Sequence, residues 1–168
     1  TIVVDKTNPI FDSREGCNAI IKTQDNSLIV GSGATKIPSS VRCIDKYAFM
    51  GCQAEEFAIP DGVKRINFFA FSSCPNLKKI VIPASVETIE ELAFDNCPEV
   101  ISIVVDKNNT DYDSRNGCDA IIYTSDNKLI LGCSSTIIPQ DIETISAFAF
   151  SHCRNLQRIV VPEGVSCI

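Results

Sequence analysis

Apolar and polar positions come in short bursts along this chain, and the bursts recur. The stretch Leu77-Lys78-Lys79-Ile80-Val81-Ile82-Pro83 sets Leu77, Ile80 and Ile82 on one side of a short strand, with Lys79 and Val81 on the other. Pro83 ends the strand because it has no N–H to give a ladder. Val86 and Ile89 mark a second short extended segment. Glu90 to Cys97 then reads as about two turns of helix, with Leu92, Ala93 and Cys97 facing inward.

The same order of elements is written four times. An aliphatic-Pro pair (Ile37-Pro38, Ile59-Pro60, Ile82-Pro83, Ile138-Pro139) precedes alanine, phenylalanine and cysteine at ten, eleven and fourteen residues after the proline. The resulting A-F-x-x-C frames run Ala48 to Cys52, Ala70 to Cys74, Ala93 to Cys97 and Ala149 to Cys153, and a fifth copy opens at Val161-Pro162. With Asp5 and Asp106 taken as proline-equivalent anchors, the spacings are 33, 22, 23, 23, 33 and 23 residues. Two units are therefore about ten residues longer than the rest. Those two are copies of each other: residues 2–38 align without a gap on 103–139, with 23 identities in 37.

In the long units, Cys17 to Gly31 and Cys118 to Gly132 each hold two β-rich runs around a polar turn, the pattern of a hairpin. The tips fall at Asp25-Asn26 and Asp126-Asn127, and each hairpin is expected to project from the stack. A period in this range describes a solenoid, in which no unit buries its apolar face alone. The expectation is a β-rich α/β repeat solenoid of about seven rungs, each with a short helix, forming a single domain over residues 1–168. The sequence opens and closes inside a repeat, which suggests a segment of a longer protein.

Composition narrows the chemistry. The chain of 168 residues has one histidine and no tryptophan, so a multi-histidine metal site is excluded and acid–base catalysis near neutral pH has little material. A net charge of −6 disfavours nucleic acid and anionic membrane surfaces. No run is long and apolar enough to span a bilayer.

Nine cysteines form an odd set, but four occupy one repeat column (Cys52, Cys74, Cys97, Cys153) and Cys17 and Cys118 are a duplicated pair. Stacked thiols about 4.8 Å apart exceed disulfide reach, so the column reads as small apolar filler. Cys43, Cys133 and Cys167 fall outside that pattern. Ser151-His152 lacks a third partner and an oxyanion hole. The oxygen-rich run Asp106 to Asp113 lacks an EF-hand frame and reads as a polar turn, although Asn108-Asn109-Thr110 is a formal glycosylation sequon. No enzyme activity, metal or cofactor is expected.

The frame of aliphatic-Pro, Val, Ile and A-F-x-x-C at about 23 residues resembles the BspA-like class of leucine-rich repeats, over essentially the whole chain. Leucine is scarce, Ala54 stands where a strand leucine is usual, and Asp5 and Asp106 replace proline on the long units. The resemblance implies a right-handed leucine-rich-repeat superhelix in a surface-exposed or secreted protein that binds other proteins. An extracellular-matrix or host surface protein is the expected partner class, with a glycan as a further option.

Glu55 and Glu56 stand at the positions of Lys78 and Lys79 on the next strand, so cross-strand pairing is expected. The exposed columns Glu56, Lys79, Ser102, Arg158 and Ala58, Val81, Val104, Val160 are the candidate partner-binding surface, with the hairpin tips beside them. The second of these columns also takes in Val3, Lys36 and Ile137. The competing reading is an architectural spacer that presents another domain.

Overall fold

The computed structural model describes residues 1–168 and consists almost wholly of short strands and turns. In chain order the strands are β1 (Phe11–Asp12), β2 (Ile20–Lys22), β3 (Ser27–Val30), β4 (Cys43–Ile44), β5 (Arg65–Ile66) and β6 (Lys79–Ile82). They continue with β7 (Thr88–Ile89), β8 (Ser102–Val105), β9 (Tyr112–Asp113), β10 (Ala120–Tyr123), β11 (Lys128–Gly132) and β12 (Thr144–Ile145).

The repeats build two ladders. Strands that run into the proline form the outer one: β6 pairs in parallel with β8, from Lys79 opposite Ser102 to Ile82 opposite Val105, and Glu56 bridges to Lys79. Segments just after the proline, β4, β5 and β7, join β3 of the first long repeat in the longer, parallel ladder. Its inward column runs through Leu28, Ile44, Ile66 and Ile89. The pairing of β11 with β12, extended by a bridge from Thr144 to Cys167, continues the pattern near the C-terminal end. The alternation read from 77–82 holds: Leu77, Ile80 and Ile82 are buried while Lys79 and Val81 are exposed.

The helix expected at Glu90 to Cys97 does not form, nor do its counterparts. The A-F-x-x-C segments are instead chains of tight turns, and the hydrogen bonds give the reason. In the first copy the N–H groups of Ala48, Met50 and Cys52 donate back to Asp45, Tyr47 and Phe49. Those of Tyr47, Phe49 and Gly51 donate forward to Phe68, Ala70 and Ser72 of the next repeat. A helix would spend every N–H within itself; here every second one is spent on the neighbour. The alternation needs left-handed backbone at two sites per copy, at Tyr47, Phe69, Leu92 and Phe148 and again at Gly51, Ser73, Asn96 and His152. Leu92 consequently does not face inward and is only half-buried.

The long repeats also differ from expectation. β2 and β3 pair antiparallel, as do β10 and β11, but neither pair projects from the stack. β3 and β11 are themselves members of the parallel ladder, and β1 and β9 add a third strand to each set. Backbone groups at the edge of an isolated hairpin would be left to water; in the sheet they are paired.

Phenylalanines stack through the core. Phe49, Phe71 and Phe94 lie with ring centroids 5.1 Å apart and planes within 1°. At the first position of this column stands Gly31, because any Cβ there would sit 2.2 Å from the Phe49 ring; Gly132 seats Phe150 in the same way. The core itself is divided in two by β10. Ile121 packs into a cluster of 25 buried residues, and its neighbour Ile122 into one of 8.

Candidate functional site: an exposed strand face and a cleft

The exposed column is assembled only in part. Register sets Glu56, Lys79 and Ser102 side by side, and Val81 beside Val104, with Ala58 continuing the row by the same register. Val81 is 38% and Val104 42% exposed, high for paired strand valines. Lys78 and Glu55 pair at 3.0 Å, the cross-strand ion pair expected there, whereas Lys79 and Glu56 make none. Residues 154–161 form no strand, so Arg158 and Val160 are exposed but not laddered with the others. Ile137 and Val3 are also exposed, at 76% and 77%.

The turn residues at the hairpin tips are unequal. Asn26 and Asn127 adopt left-handed backbone, and their side-chain carbonyls accept hydrogen bonds from Arg14 (2.7 Å) and Arg115 (3.0 Å). Each arginine also forks onto an aspartate two residues before it, Asp12 and Asp113. That hydrogen-bonded arginine holds the Asp12 carboxyl below its ordinary pKa. Asp25 is engaged by Ser27 and Lys22, while Asp126 is exposed and unpaired.

Cysteines in the column do more than fill space. Cys74 donates to the carbonyl of Phe49 (3.3 Å), Cys97 to that of Phe71 (3.2 Å) and Cys153 to that of Gly132 (3.6 Å). Burial pushes the thiols of Cys52 and Cys153 up to about 11; Cys74, beside the Cys97 sulfur and buried, is raised as well. Cys43 and Cys167 are not outside the pattern: both lie at the same sheet register, opposite Arg65 and Thr144 respectively. Asn109, in the oxygen-rich run, is buried and spends its amide on the carbonyls of Pro83 and Val86, as a structural turn requires.

One feature was missed in the sequence. Between β7 and β11 the second long repeat inserts β9 and β10 and carries no A-F-x-x-C turn, so the turn stack is interrupted. A cleft of about 450 Å³ opens there. Its apolar lining comes from Tyr112 of β9, Tyr123 of β10, Ile130 and Leu131 of β11, and Leu92 and Phe148 of two turn segments. The Tyr112 hydroxyl accepts the Ile89 N–H at 2.9 Å, standing in for the carbonyl of an adjacent strand. Asp95 closes one end, accepting from Ser151 at 3.2 Å with His152 at 3.8 Å. The legible signal is the glycine at 132, as at 31, where the short repeats place phenylalanine.

Stacked strand-and-turn units of this kind define a leucine-rich-repeat protein. The chain matches the BspA type leucine-rich repeat region in six copies over residues 33–118 and 128–168, and it belongs to that family. No curated protein matches it. Among solved structures it is similar to a leucine-rich repeat protein from Eubacterium ventriosum (21% identity, TM-score 0.64), covering 84% of this chain and 46% of that one. It is also similar to the pneumococcal vaccine antigen PcpA (18% identity, TM-score 0.60), covering 76% of this chain and 39% of that one. A leucine-rich cell surface protein from Faecalibacterium prausnitzii aligns at 27% identity and TM-score 0.47, over 95% of this chain and 35% of that one. The chain thus spans less than half the length of each of these proteins. No helix is long and apolar enough to cross a membrane.

Proposed function

We propose that this chain is a non-catalytic, protein-binding repeat module of a cell-surface or secreted protein, with an adhesin-like role. The observation that carries the reading is the exposed row Ala58, Val81 and Val104 beside Glu56, Lys79 and Ser102. It is a flat, ladder-ordered face with apolar side chains turned to solvent. That the similar pneumococcal protein PcpA is a vaccine antigen supports a surface setting. The same reading takes the chain as one domain of seven rungs in a right-handed superhelix, two of them carrying the inserted antiparallel pairs.

The test is a surface-plasmon-resonance screen of the protein against immobilised extracellular-matrix proteins and host glycans. Val81→Asp with Val104→Asp is expected to weaken the strongest interaction about tenfold or more while leaving the unfolding midpoint in place. Unchanged affinity removes the strand face from the reading. Absence of any binding leaves the architectural spacer as the function.

A further inference from the structure

The cleft brings together three kinds of unsatisfied chemistry. Its first is backbone: Phe94 and Asn96 stand where Phe49, Phe71, Gly51 and Ser73 donate to the next repeat, yet neither N–H has an acceptor in the chain. The second is apolar, since Phe148 lines the cleft with 67% of its surface exposed, beside the half-buried Leu92, Ile130 and Leu131. The third is charge. Glu90, Glu91, Asp95 and Asp126 line the cleft against Lys128 alone; Glu90 accepts the Phe68 N–H and Asp95 faces Ser151 and His152, but none of the four is paired with a lysine or arginine, and Glu91 and Asp126 are left to the rim.

We propose that this cleft docks an extended basic peptide segment of a partner protein, seating one aliphatic or aromatic side chain against Phe148 and flanking it with arginine or lysine. The proposal rests on the reading of the chain as a protein-binding module and adds the chemistry of what it binds. Peptide carbonyls supply the acceptors that the Phe94 and Asn96 N–H groups lack. An apolar side chain covers the exposed ring of Phe148. Basic neighbours meet the carboxylates of Glu91 and Asp126 at the rim. A polyamine offers cations but no acceptors, and a neutral sugar offers acceptors but neither cation nor apolar side chain. An extended basic peptide offers all three.

A positional-scanning library of fluorescein-labelled hexapeptides, titrated by fluorescence polarisation, tests the proposal. Enrichment of arginine or lysine around one leucine or phenylalanine is expected, and enrichment of acidic or wholly polar sequences overturns it. With the best hexapeptide, Glu91→Lys combined with Asp126→Lys is expected to weaken binding about tenfold or more, and added salt to weaken it further. Both positions are exposed, so the unfolding midpoint should not move. Val81→Asp, on the strand face, should leave hexapeptide binding unchanged. If no hexapeptide binds while the strand-face variants still abolish matrix-protein binding, the cleft proposal falls and the protein-binding reading stands. Neutral oligosaccharides that compete fully for the site, or a doubled solution mass lost in the Glu91→Lys, Asp126→Lys protein, also overturn it.

Discussion

A thiol in this fold is a backbone donor held in a small space. Each column cysteine from the second copy on reaches a main-chain carbonyl in the preceding repeat, so the side chain is small enough for the stack and still satisfies a buried acceptor. The sequence alone reveals the column but not the hydrogen bond, which depends on an atom in another repeat. Burial of Cys52 and Cys153 has a pH consequence. Their thiols lose protons near 9 in the unfolded chain and about 11 in the fold, so above the first value the unfolded state binds fewer protons. Stability is therefore expected to fall as pH rises from about 9 to about 11. Denaturant midpoints followed across that window should fall more steeply for the natural protein than for Cys52→Ala with Cys153→Ala. Equal slopes would show that these thiols are not desolvated by folding.

At the scale of the element, the turn segments carry a residue pattern that also fits a helix. Inward residues at Ala93 and Cys97, four apart, fit a helical face, and nothing local says that alternate N–H groups belong to the next repeat. Left-handed backbone at Tyr47, Phe69, Leu92 and Phe148 runs against the ordinary preference of such bulky residues, a cost met by inter-repeat hydrogen bonds that no isolated segment possesses. The strands were legible because their alternation and terminal proline are local signals. Glycines separate the two effects experimentally. Gly132→Ala drives a Cβ to 2.2 Å from the Phe150 ring and should cost about 1–3 kcal/mol in a chemical denaturation curve. Gly51→Ala meets nothing within 4 Å and carries only the penalty of a φ of 74°, about 1 kcal/mol. A Gly132→Ala protein as stable as the natural one would show that the Phe150 ring does not need the space the glycine leaves.

Over the whole molecule, the interruption at the second long repeat decides both stability and surface. Stacked repeats share energy mainly with their neighbours, and β10 separates a cluster of 8 buried residues, which includes Ile145 of β12, from one of 25, which includes Ile66 of β5. Amides of β12 are accordingly expected to exchange faster than those of β5 in native-state hydrogen exchange; equal protection would mean that the two clusters open as one unit. The sequence by itself determined the repeat period, the strand register, the duplication of the long units and the exposed valines, because each is carried by spacing along the chain. Only the tertiary structure decided that the A-F-x-x-C segments are turns, that the antiparallel pairs join the sheet and that a cleft opens beside Phe94. Those outcomes depend on which backbone groups of one repeat find partners in the next, and that pairing exists only once the repeats are stacked.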